Sequence, residues 1–206
     1  MIENAKWIWP DIKCDVNQYA DFVLEFETNC ALGKAFAEIC ADREYVVWVN
    51  GSFAGCGQYH DFPSKKCFDT IDIAEFLHRG KNRLCITAYY QGEASLQYAK
   101  SINGLCFAVC AGERCYLSDE SVLSAQSLVY KSGQMYKTTN QLGFGYFCDF
   151  RKYDDWINPD IPIPLRFAKS ACKAFDTKFM PRPVQKLIIS ETIPVHVIAQ
   201  GYMRDN

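Results

Sequence analysis

Gln58, Tyr59, His60 and Asp61 follow one β-rich arm, and Tyr90, Gln91, Gln97 and Tyr98 border or occupy a second polar stretch. Aromatic rings mixed with planar amides and a carboxylate are the groups that grip a polyhydroxylated ring. The ring face packs on C–H groups, while amides and carboxylates match hydroxyls one by one. These eight residues are therefore the candidate ligand-binding positions. A plainer reading stands beside this one: the tyrosines pack an edge of the fold, and the polar groups are only solvated.

Catalysis is not expected of the chain. Hydrolysis of a glycosidic bond needs two carboxyl groups at a set separation, one of them with a raised pKa. Asp154-Asp155 are neighbours in an extended run and point apart, and Asp119-Glu120 sit in a turn. Asp69 and Asp72 read as a strand-end residue and a helix cap. Nucleophilic catalysis needs a Ser or Cys with an oriented His, and the chain has 3 histidines. His78 falls near the end of a helical turn, where a cation suits the dipole, and His196 alternates within a strand. His60 alone lies in a loop. Asp61 with a neighbouring carbonyl could approach a calcium ion, but no acidic loop of ligand spacing surrounds it. No catalytic residue, metal or cofactor is expected.

Strands must hold the two loops. Asn50-Gly51 separates Tyr45–Val49 from Ser52–Gly57, and a two-residue hairpin turn favours these two residues because both central positions need φ > 0. Tyr45, Val47 and Val49 point one way and Val46 and Trp48 the other, which predicts a central strand buried on both faces. Ala5-Lys6-Trp7-Ile8-Trp9 forms a short aromatic strand or anchor ended by Pro10. Period-2 alternation marks strands over 19–28, 34–41 and 83–91. Asp72 and Glu75 fit a capping box with Gly80 beyond it, predicting one or two helical turns. Further strands are expected over 104–111, 115–117 and 122–130. A last one over 143–151 would place Phe144, Tyr146, Cys148 and Phe150 on one face. Such short strands at regular spacing predict an all-β fold, an antiparallel β-sandwich. Residues 1–155 would form the sandwich. Residues 156–206, rich in proline, would form an extended strap with extra strands at 187–189 and 195–198.

Composition narrows the function classes. A net charge of -2 and the lack of a basic run argue against nucleic acid. No stretch approaches the ~18 apolar residues of a membrane span, and residues 1–6 lack the pattern of a secretory leader. The 11 cysteines are odd in number and include no Cys-x2-Cys pair, so reduced core thiols in a cytoplasmic protein are expected.

In order along the chain, Ala5-Lys6-Trp7-Ile8-Trp9, the Tyr45–Gly51 hairpin, Asp69-Thr70-Ile71-Asp72, Leu77 and Gly80-Lys81-Asn82 resemble the galactose-binding-like jelly-roll domains of glycoside hydrolases. Gln97-Tyr98, Gly104-Leu105, Leu142-Gly143-Phe144, Asp149-Phe150-Arg151 with Trp156, and Pro181-Arg182-Pro183 narrow the resemblance. It is to the N-terminal region of bacterial α-L-rhamnosidases, over about residues 5–190. Ser121–Ser127 departs from that pattern by lacking a Trp after the Ser-Asp-Glu turn. In that family the hydrolytic site lies in a following barrel of twelve helices, which at ~11–12 residues each would use most of this chain. The resemblance therefore implies a non-catalytic module of a glycoside hydrolase. Its partners would be a carbohydrate, rhamnose-containing sugars among them, and a following catalytic domain. The alternative is a structural or protein-interaction sandwich without sugar affinity.

Overall fold

The computed structural model describes residues 1–29, 33–58, 61–185, 189 and 201. The strands are β1 (Trp7–Trp9), β2 (Gln18–Thr28), β3 (Ala35–Ala41), β4 (Glu44–Val49), β5 (Ser52–Gln58), β6 (Lys65–Asp72), β7 (Gly80–Tyr90) and β8 (Leu105–Ala111). They continue with β9 (Arg114–Leu117), β10 (Leu123–Gln126), β11 (Lys137–Thr139), β12 (Gly143–Phe144), β13 (Ala168–Lys169), β14 (Ala171–Lys173) and β15 (Lys178–Pro181). Two sheets face each other. One runs β14-β1-β8-β3-β6-β15 with β9 attached to β8, and the other β13-β10-β2-β7-β4-β5. All pairings are antiparallel except β15 with β6, which is parallel.

Alternation decides the core. Phe22, Leu24 and Phe26 of β2, Ala35, Ala37 and Ile39 of β3, Tyr45, Val47 and Val49 of β4, and Leu84, Ile86 and Ala88 of β7 all enter one cluster. Burying each Val, Leu, Ile or Phe among them contributes ~1.5–3 kcal/mol relative to exposure. The 50–51 turn forms as expected, with φ of 50° at Asn50 and 82° at Gly51. Asn50 also ties the hairpin down, donating to the Phe76 carbonyl and accepting from Arg83 N. In β5, Gly57 allows a close approach: a Cβ there would fall 2.1 Å from the Tyr45 ring. That ring must pass for its hydroxyl to donate to Asp69 Oδ2.

Several expectations are corrected. The second face of β4 is half-buried, because no sheet covers it. Its Trp48 instead meets the strap, where Trp156 and Phe167 pack over Val23, Cys85 and Ala125. The capping box gives one 3-10 turn, Ala74–Phe76, after which Leu77 is extended and Gly80 opens β7. Asp72 still accepts from Ala74 N, so the turn signal was present, but a three-residue turn leaves no room for a Glu75 counter-bond. The 143–151 strand shrinks to Gly143–Phe144, paired only with β11, and Tyr146 and Phe150 stand exposed. Beyond Phe144 the only strand pairing of the stretch among the described residues is an isolated bridge, Cys148 to Tyr130, so its alternation had no continuous sheet to pack in.

The strap joins both sheets, through β13 on β10, β14 on β1 and β15 on β6. Residues 187–188 and 195–198, expected as strands, lie outside the described residues, and Ile189 is in no strand. Cys110 and Cys115, opposite each other across β8 and β9, form a disulfide, which corrects the expectation of reduced thiols throughout. Cys40, Cys85 and Cys106 are buried, and burial pushes the Cys106 thiol up to about 12, so it stays protonated and unreactive. No helix among the described residues is long and apolar enough to cross a membrane.

Candidate functional site

The two loops meet on the turn between β3 and β4. Asp42 is its hub. Lys66, opening β6 after the first loop, donates from Nζ to the Asp42 carbonyl (2.8 Å) and to Asp61 Oδ1 (2.5 Å). Tyr98, from the second loop, donates to Asp42 Oδ2 at 2.6 Å. The next residue, Arg43, donates to the Gln97 carbonyl (2.8 Å) and lies 5.7 Å from the centre of the Tyr98 ring. Asp61 Oδ2 also accepts from Cys67 N. Asp61, Gln97 and Tyr98 thus converge through one buried turn.

The other candidates are placed differently. Tyr90 and Gln91 are buried. The Tyr90 hydroxyl donates to the Ser101 carbonyl, and Gln91 Nε2 donates to the Glu93 carbonyl. Tyr98 is also buried, its ring inside and its hydroxyl spent on Asp42. Gln97 is exposed. Gln58 is the last residue of β5, and Tyr59 and His60 lie outside the described residues.

The register of the second sheet adds residues that the loop motifs did not point to. Gln58 pairs with Glu44, Glu44 with Tyr89 and Tyr89 with Tyr19, forming a row across one end of the sheet. On the face away from the core, the Tyr19 ring is stacked between Tyr89 and Tyr130, with 4.6 Å between centroids on each side. Offset stacks of this kind add ~0.5–1.5 kcal/mol per pair beyond burial. None of the three hydroxyls hydrogen-bonds a described residue. Burial raises the pKa of all three, so they remain protonated donors at any physiological pH. Glu44 stands beside them 3.5 Å from Arg43, its carboxyl pKa raised by burial against the pull of that guanidinium. Tyr146, 69% exposed, is close enough to raise the pKa of Tyr19 and Tyr130 further. The rim therefore offers hydroxyl donors, one carboxylate, one guanidinium and an open aromatic face.

This arrangement is polar and aromatic, and its described residues include no facing pair of acids. Solved structures with a similar chain path identify the fold that carries it. The GH78 family rhamnosidase of Bacillus sp. GL1 matches with a TM-score of 0.78 and 25% identity, covering 88% of this chain and 20% of that one. The fold is that of a rhamnosidase β-sandwich region. The α-L-rhamnosidase from Dictyoglumus thermophilum matches with a TM-score of 0.68 and 17% identity, over 87% of this chain and 22% of that one. Among curated proteins, a β-galactosidase of Clostridium acetobutylicum is 22% identical over 188 residues, 90% of this chain and 18% of that protein. No family model matches. The chain spans about a fifth of the length of each of these proteins.

The Asp42 hub sets a pH dependence. Burial pushes the Asp42 carboxyl up to about 6, against the opposing effects of Lys66 and the Tyr98 hydroxyl. Its pKa is higher folded than unfolded, so the folded state holds the proton more tightly and stability falls as pH rises from about 4 to about 6. Between pH 5 and pH 7 this group costs on the order of 1 kcal/mol, or ~2–4 °C in Tm for a chain of this size. Asp42→Asn removes that part of the slope. Thermal unfolding of both proteins at the two pH values checks it, and parallel slopes would exclude the assignment.

Proposed function

We propose that the chain is a non-catalytic carbohydrate-binding module of a rhamnosidase-like glycoside hydrolase. Sugar would bind at the rim formed by Glu44, Tyr19, Tyr89, Tyr130 and Tyr146, with Gln97 at its margin. The observation that carries the reading is the three-tyrosine stack, whose hydroxyls are unused by described residues beside the open ring of Tyr146. A sugar ring would lie on Tyr146 while its hydroxyls meet Glu44 and the tyrosyl tips. The similarity to rhamnosidase structures supports rhamnose-containing saccharides as the first ligands to test.

Titration with L-rhamnose and rhamnose-containing oligosaccharides, followed by amide shifts, tests the proposal. Saturable binding should weaken at least tenfold in Tyr146→Ala and in Glu44→Gln, and about threefold in Gln97→Ala, in line with the loss of ~1–2 kcal/mol per stacking or charged contact. Absence of saturation with every sugar would sink it. Enzyme-like hydrolysis of an aryl rhamnoside by the chain alone would sink the non-catalytic part.

A second reading is docking against a following catalytic domain. Tyr136, Leu142, Phe147 and Phe150 are all more than half exposed within one short stretch of chain, and clustered apolar exposure marks interaction surfaces. This reading would be favoured if Phe147→Ser with Phe150→Ser weakened association with the remainder of the parent protein while sugar titrations stayed flat.

A further inference from the structure

A groove of about 630 Å3 lies between the residues that lead into β1 and the stretch linking β14 to β15. Its volume falls within the ~300–1,000 Å3 of ordinary ligand sites, and it shares no residue with the rim. Lys6, Lys173 and Lys178 line it against the single acid Glu3, so the groove is locally positive on a chain whose net charge is -2. The three lysines are not equivalent. Lys173 is half-buried and turned inward, where its Nζ donates to Asn103 Oδ1 with Asp11 and Cys14 nearby. Lys6 and Lys178 are exposed and form no ion pair among the described residues.

The rest of the lining is aromatic and partly polar. Phe175 and Phe179 are half-buried in the groove, and Phe175 is held by the Trp7 ring 4.7 Å away. Between them, Thr177 Oγ1 is buried without a hydrogen-bond partner among the described residues. Two unpaired ammonium groups, apolar ring faces and an unused hydroxyl at one place match one kind of ligand. We infer that this groove binds a carboxylate-bearing saccharide, with the carboxylate between Lys6 and Lys178, the sugar ring against Phe175 and Phe179, and a ring hydroxyl on Thr177. This is a second site, and it goes beyond the rim reading. Exposed ammonium groups act through solvent with a screening length of ~8 Å at physiological salt, so binding is selective for charge and sensitive to salt.

The test is an amide-shift titration of the full chain with digalacturonate, its uncharged dimethyl ester and acetate, at low and high salt. The acid should perturb residues 173–179 and bind about tenfold more tightly than the ester, weakening severalfold at high salt. Lys6→Gln with Lys178→Gln should abolish that preference. Thr177→Val should weaken acid and ester alike by about threefold, a readout that charge alone would not move. Binding of the acid should persist after Tyr146→Ala has removed rim binding. Equal affinity for acid and ester, displacement by acetate at equal concentration, or no shifts at 173–179 would each overturn the inference. Shifts confined to the rim and lost in Tyr146→Ala would overturn it too, while leaving the rim proposal standing.

Discussion

Lys66→Ala lowers the unfolding free energy by about 3–5 kcal/mol, the range for stripping one partner from a buried ion pair. Lys66 is 1% exposed, and its ammonium is the only described donor to the Asp42 carbonyl and the counter-ion of Asp61. Alanine leaves the Asp61 carboxylate without its counter-ion, held only by the Cys67 N–H, and the Asp42 carbonyl without a described donor, and the two loops lose their common anchor. Lys66→Met with Asp61→Asn restores volume and removes the stranded charge, so at least half of the loss should return. Chemical denaturation of the three proteins measures this. A single-variant loss below about 1 kcal/mol would mean that solvent reaches the pair and that the hub does not hold the loops. The same experiment bears on function, because Gln97 and Tyr98 are placed by the turn that Lys66 supports.

Arg166→Ala is expected to cost about 2–4 kcal/mol, or roughly 5–15 °C in Tm for a domain of this length. Its guanidinium reaches Asp21 of β2 at 3.0 Å and Asp154 at 2.7 Å, and lies 4.2 Å from the centre of the Phe167 ring. Asp21 is 2% exposed, and burial already pushes its carboxyl up to about 6 even with Arg166 beside it. Removing the arginine removes the main effect that opposes burial, so the Asp21 pKa rises further in the variant. A group whose folded pKa lies above its unfolded one costs stability as pH climbs through that window. The loss should therefore be larger at pH 7 than at pH 5. Arg166→Met with Asp21→Asn should recover most of it. An equal loss at both pH values would show that the strap is held by the Trp156 and Phe167 packing alone. The strap has a second clamp of the same kind, Arg182 on Asp69 at 2.6 Å, next to the Tyr45 hydroxyl. Both arginines tie residues beyond 156 to buried acids of the sandwich, which is why the proline-rich segment can cross from one sheet to the other.

How much was legible differs from element to element. Two-residue alternation in 19–28 and 83–91 was enough to assign the inner faces of β2 and β7, because a pleated strand leaves each residue only two directions. Asn50-Gly51 set its own turn for the same local reason. The 143–151 stretch alternates just as well and still failed, since alternation specifies a face only where a sheet exists to bury it. The capping signal at Asp72 was real, yet β7 begins so soon after it that one turn was all the chain could complete. Among the site residues, Tyr19 and Tyr89 sit on the solvent parity of their strands, a visible signal. Nothing local showed that β2, β7 and β4 are neighbours.

What the sequence by itself determined is therefore the local geometry: which stretches extend, where the tight turns fall and which side chains alternate inward. These follow from backbone sterics and side-chain period, and neither needs a partner. Tertiary structure alone decided the pairings that are distant in sequence. It stacked Tyr19 between Tyr89 and Tyr130, set Lys66 under Asp42, and put Lys6 and Lys178 on the lining of one groove. Each of those juxtapositions depends on which strands lie side by side, and that is fixed by burial summed over the whole core rather than by any short run of residues.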